Sequence, residues 1–133
     1  MTRNVFTRLA LLIAALVMIG SPVGAKVVRN TIGDAAALIG AGHVAQDTVL
    51  LECTAGQQIQ FTLTLTQDGA NGTGHGAGVC AGDLTAYEVT VPADGDPFTP
   101  GFAVACATAV NYRRGVVVDT KEWCRAAGVT LTE

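Results

Sequence analysis

Four cysteines, at positions 53, 80, 106 and 124, follow an N-terminal stretch built like an export signal, and this combination narrows the available folds most. Arg3 and Arg8 supply a positive start, Leu9 to Gly20 an apolar core, and Ser21-Pro22-Val23-Gly24-Ala25 a small-residue end that suits cleavage after Ala25. The core is shorter than the roughly 20 apolar residues a spanning helix needs. Residues 1–25 are therefore expected to be a removed signal peptide, and residues 26–133 a single secreted domain with no membrane attachment. No cysteine closely follows the apolar core, so a lipid anchor has no attachment residue. An even set of cysteines in a small exported chain reads as a disulfide framework.

Without the signal, 108 residues remain, carrying six basic and eleven acidic side chains. The basic residues are scattered, with Arg113-Arg114 the only adjacent pair. That excludes the basic stripe on which nucleic-acid binding depends. The acidic residues are equally dispersed and serve solubility.

Period-two alternation dominates the rest of the chain. From Gln58 to Gln67, Ile59, Phe61, Leu63 and Leu65 face one way, while Gln58, Gln60, Thr62, Thr64 and Thr66 face the other. Such a pattern marks a half-buried strand of an antiparallel sheet. Thr48 to Cys53 repeats it with Val49, Leu51 and Cys53 on one face. Ala86 to Val91 does so again, with Tyr87, Val89 and Val91 expected inward. Phe102 to Tyr112 places Phe102, Val104, Cys106, Val110 and Tyr112 on one face and a run of alanines on the other; the cysteine side is expected to point inward. Val116–Val118 and Val129–Leu131 are shorter candidates. Val27 to Ile39 is expected to give an edge strand, although Ala35–Ile39 also suits a helical turn.

Turn residues at Asp68–Gly72, Asp94–Pro97 and Arg113–Gly115 separate these runs. Six or seven strands at such spacing predict an all-β domain, a β-sandwich or small barrel. Two disulfide patterns fit. Hairpin register favours Cys53–Cys80 with Cys106–Cys124. An inter-sheet Cys53–Cys106 bridge is the rival, but it lacks the Trp and corner Tyr that accompany such a bridge in immunoglobulin domains.

The run Cys53-Thr54-Ala55-Gly56, the strand ending Thr66-Gln67, then Gly74…Cys80-Ala81-Gly82 and Phe98-Thr99-Pro100-Gly101-Phe102-Ala103 resembles small secreted actinobacterial proteins with an immunoglobulin-like β-sandwich and no assigned function. The likeness spans about residues 48–110, with Tyr87 where those proteins often carry Trp. It implies a sandwich of about seven strands, an extracellular address and sequential disulfides, and it implies no catalytic residue.

Candidate chemistry is sparse. His43 and His75 are the only histidines and sit beside glycines, so a metal centre with three or four convergent ligands is not expected. Ser21 is the only serine and leaves with the signal, which removes a Ser-His-Asp site. Asp94 and Asp96 form the nearest thing to paired carboxylates, but Gly95 and Pro97 mark them as turn residues. The glycine-rich Gly69–Gly78 lacks the Lys-Ser/Thr of a phosphate loop. It is expected to be a hairpin turn running into a flat or bulged edge strand. Asn71-Gly72-Thr73 matches a glycosylation acceptor. The sequence thus predicts a monomeric, non-catalytic extracellular module without cofactor or metal, binding an extracellular protein or a cell-envelope ligand. The alternative is an enzyme inhibitor presenting Asp94–Pro100 as a rigid loop, or, further off, a small hydrolase.

Overall fold

The computed structural model describes residues 27–133. The expected signal peptide, residues 1–25, lies outside the described residues. Nine strands and no helix make up the described chain: β1 (Val27–Ile32), β2 (Ala35–Ile39), β3 (Val44–Cys53), β4 (Gln58–Gln67), β5 (Ala70–Val79), β6 (Leu84–Pro92), β7 (Gly101–Arg113), β8 (Val116–Cys124) and β9 (Val129–Thr132). The all-β expectation holds, but the count exceeds seven. Val27–Ile39 is two strands broken at Gly33-Asp34 rather than one, and 116–118 and 129–131 are the seeds of β8 and β9.

The strands are hydrogen-bonded in the order β1-β3-β2-β9-β7-β4-β5, with β6 on the other edge of β3 and β8 on β7. β3 runs antiparallel to β6 over nine residue pairs and shares its opposite edge between β1 and β2. β7 pairs with β4 along Val104–Tyr112, while its first residues, Gly101–Ala103, pair with β9. β2 and β9 are parallel, Ala35 opposite Thr130. The path is open between β5 and β6, where one bridge, Gly72 to Ala93, joins them.

Alternation places one face of β3, β4, β6 and β7 in a common core. Val49 and Leu51, Ile59, Leu63 and Leu65, Val89 and Val91 are all fully buried, each worth about 2 kcal/mol of removed apolar surface. The rings of Phe61 and Tyr87 meet at 5.2 Å, tilted by 55°. On β7 the expected orientation is reversed. Ala103, Ala105, Ala107 and Ala109 are buried, whereas Phe102 is 63% and Val104 44% exposed. Large side chains from β3, β4 and β6 already fill the interior at close-packed density, so β7, beside β4 in the same sheet, presents its small face.

This reversal turns Cys106 outward and removes the inter-sheet rival. The bonds are Cys53–Cys80 and Cys106–Cys124, with Cα–Cα separations of 5.3 and 4.0 Å. Cys106 and Cys124 are directly opposite on β7 and β8. Cys53, the last residue of β3, and Cys80, the residue after β5, are both buried. The β7–β8 turn has positive φ at Arg114 (51°) and Gly115 (77°), as a tight two-residue hairpin requires.

The glycine-rich segment is an edge strand in regular register with β4, without a bulge. Its glycines at 72, 74, 76 and 78 all point inward. A Cβ on Gly74 would run into the Thr90 carbonyl and lie 2.7 Å from Val89 Cγ1; one on Gly78 would lie 2.8 Å from the Tyr87 ring. Period-two glycine lets β6 and three aromatic rings, of Phe61, Tyr87 and Phe98, lie directly against the β5 backbone.

Candidate functional site

The outward residues of β5, β4, β7 and β8 form one continuous face. Register sets them in rows: Thr73, Thr64, Cys106 and Cys124; then His75, Thr62, Thr108 and Glu122; then Ala77, Gln60, Val110 and Thr120; then Val79, Gln58, Tyr112 and Val117. The face grades from hydroxyl-rich to apolar. Thr64 and Thr73 hydroxyls are 3.2 Å apart, and the Tyr112 hydroxyl donates to Gln60 Oε1 at 3.4 Å. At the apolar end Val79 is 63% and Val117 52% exposed.

An open depression of about 470 Å³ lies in the middle, lined by Gln60, Phe61, Thr62, His75, Gly76, Ala77, Thr108 and Val110. Gln60, Thr62, His75, Ala77, Thr108 and Val110 reach it with their side chains, while Phe61 and Gly76, whose inward sides belong to the core, lie beneath them. Of the described residues that line it, His75 alone is titratable. Hydroxyls, an amide and an imidazole over a flat apolar base can accept and donate hydrogen bonds to a flat ligand.

A second locus lies at one end of the molecule. Asp94 N–H donates to the Asn71 carbonyl at 2.7 Å, which sets the Asp94–Asp96 turn beside the Asp68-Gly69 turn. The loop from Asp94 to Pro100 is anchored by Phe98, whose ring is buried and whose N–H donates to the Gly42 carbonyl at 2.8 Å. It leaves Asp94, Asp96, Pro97, Thr99 and Pro100 exposed. His43 is also exposed, one residue beyond Gly42, and faces neither depression. Among the described residues no three His, Cys, Asp or Glu side chains converge as a metal centre would need. The structure thus brings together Asp94 and Asp96 with Asn71, and separates His43 from His75.

Three buried polar side chains, Gln57, Asn111 and Asp47, escaped the sequence reading. Asn111 Nδ2 donates to Gln57 Oε1 at 2.9 Å, and its Oδ1 lies 3.9 Å from Cys80 Sγ. Asn111 continues the buried parity of the β7 alanines, which was the available signal. Asp47 shares the parity of Val49 and Leu51 and is 3% exposed. Its Oδ1 accepts from Thr48 N–H at 2.7 Å, while Oδ2 is buried without a partner among the described residues. Burial pushes its carboxyl up to about 6, and nearby Asp34 adds to this; the Thr48 N–H and the Arg125 charge oppose it. On the surface, the Arg29 guanidinium bonded to Glu52 at 2.7 Å holds that carboxyl below its usual range. Both belong to the β1–β3 side, away from either depression. Compared with family models, curated proteins and solved structures, the chain matches none of them.

Proposed function

We propose that this chain is a secreted, non-catalytic recognition module that binds an extracellular protein or cell-envelope ligand through the outer face of β5, β4, β7 and β8. The observation that carries the reading is that face: a rigid sheet grading from hydroxyls to exposed Val79 and Val117 around a depression with His75 at its edge. Exposed apolar side chains set among hydrogen-bonding groups on one rigid face suit an interaction site. The two disulfides suit an oxidising compartment. The fold reads best as an immunoglobulin-like sandwich of the actinobacterial kind the sequence resembles. The β3–β6 and β4–β7 pairs share one core, as the B–E and C–F pairs of such domains do. It departs from that pattern in β8, which takes the edge of β7 along most of its length.

The test is co-sedimentation of labelled protein with purified cell-wall material, and cross-linking to secreted proteins. Val110→Asp and Thr62→Asp are expected to abolish capture, while Glu88→Lys, on the opposite sheet, leaves it intact. Capture unaffected by the two face variants, or absent for the wild type, rejects the reading. A second reading, an enzyme inhibitor, is favoured by the anchoring of Asp94–Pro100 through buried Phe98. Inhibition of a secreted hydrolase, lost on shortening that loop, would replace the first.

A further inference from the structure

The two disulfides have opposite surroundings. Cys53 and Cys80 are 2% and 3% exposed, whereas Cys106 is half-buried and Cys124 exposed. The Cys53–Cys80 bond joins the ends of two strands that are not ladder neighbours. The Cys106–Cys124 bond joins residues already opposite one another in the β7–β8 ladder, which continues through Arg113 and Val116. Beyond it, Arg125 N–H donates to the Ala105 carbonyl at 2.9 Å. Backbone hydrogen bonds therefore hold both cysteines in place whether or not their sulfurs are joined.

We propose that Cys106–Cys124 is a thiol-exchange site, opened by a dithiol reductant and reclosed without unfolding of the domain. Exchange proceeds by attack of a thiolate on an accessible sulfur. Cys124 is the more exposed residue of the pair and is the one an incoming thiolate reaches. An incoming thiolate forms a bond to Cys124 Sγ, the Cys106–Cys124 bond breaks, and Cys106 Sγ leaves as a thiolate. Thr64 is the residue directly beside Cys106 on β4, and its hydroxyl is of the right kind to donate to that thiolate. The reductant's second thiolate then attacks its own sulfur in the mixed disulfide and releases Cys124. The reductant ends oxidised by two electrons, and Cys106 and Cys124 end as two thiols. Because the ladder keeps them opposed, transfer of two electrons to an oxidised dithiol restores the bond. The proposal does not depend on the binding reading.

The experiment exposes the purified, fully oxidised protein to dithiothreitol in native buffer, traps thiols with an alkylating reagent and maps them by mass spectrometry. Cys106 and Cys124 are expected to label at least roughly ten-fold faster than Cys53 and Cys80, with an unchanged far-ultraviolet circular dichroism spectrum. The rate should not change with urea below the unfolding transition. Excess glutathione should give a mixed disulfide on Cys124 rather than Cys106. Equal labelling of all four cysteines, labelling that tracks unfolding in urea, or an adduct confined to Cys106 would each overturn the proposal.

Discussion

Gln67 and Thr99 bond to each other twice: Gln67 Oε1 accepts from the Thr99 N–H at 2.9 Å, and its Nε2 donates to the Thr99 carbonyl at 2.8 Å. The side-chain amide acts as a strand partner for a residue that belongs to no strand. A further bond at 3.3 Å to the Phe102 carbonyl leads the chain into β7. With Phe98 seated in the core, an irregular loop gains a fixed shape.

Gln67→Ala is expected to lower stability by about 1–2 kcal/mol, the scale of losing a few partly exposed hydrogen bonds. The loop from Asp94 to Pro100 should become the first site of limited proteolysis. Chemical denaturation and timed digestion measure both effects, and a wild-type profile would show that Gln67 does not hold the loop.

Gly74→Ala places a Cβ against the Thr90 carbonyl and 2.7 Å from Val89 Cγ1. Backbone cannot yield as a flexible side chain can, so the expected loss is about 2–3 kcal/mol. Thr73→Ala, on the exposed side of the same strand, should lose less than about 0.5 kcal/mol. Similar midpoints for the two variants would contradict the close approach of β5 and β6.

The orientation of β7 gives another pair. Ala105→Leu adds three carbons to a filled interior and should destabilise by about 2–3 kcal/mol, whereas Val104→Thr should be close to neutral. Thermal unfolding of both variants decides, and the opposite ranking would restore the cysteine-inward strand.

Much of the fold was legible because one face of each strand is apolar and the other polar, as in β4. β7 was not, because both its faces are apolar by composition. A run of alanines against Phe102, Val104 and Val110 suggests that the larger residues go inside. The decision comes from volume already occupied by Phe61, Leu63 and Leu65, which sequence alone does not report. The disulfides were legible as hairpin register because each hairpin turn carried its own residues. The Val27–Ile39 break was obscured because Gly33-Asp34 is short. The candidate face depends on side chains drawn from four strands, and only their register brings Thr62, His75 and Val110 together.

Asp47 predicts a pH effect with a definite sign. Its carboxyl titrates at about 6 in the folded protein against an ordinary value of 3.8. The folded state therefore holds a proton more tightly than the unfolded chain. The stability this contributes is present below about pH 4 and lost as pH rises through about 6, by at most about 3 kcal/mol. Asp47→Asn should remove that fall, so wild type and variant are compared by urea unfolding between pH 4 and 7. Parallel pH profiles would show that burial does not perturb this carboxyl.

Arg114 has a left-handed backbone, with φ of 51°, at the β7–β8 turn. Asn tolerates that conformation better than Arg, so Arg114→Asn is expected to stabilise by about 0.5–1 kcal/mol. Differential scanning calorimetry measures the gain, and a loss would mean that the arginine makes an offsetting contact.

The period-two glycines also fix how the β4–β5 hairpin aligns. A slip of one residue would turn Asn71, Thr73, His75 and Ala77 toward β6, where there is no room for even a methyl group. Threonines and glutamines on β4 would accept several alternative alignments with an ordinary partner, because their outward neighbours are interchangeable. The bare side of β5 rejects every odd-numbered one. A strand that contributes almost no side-chain volume to the interior thereby acts as the template that keeps its neighbour from mispairing during folding.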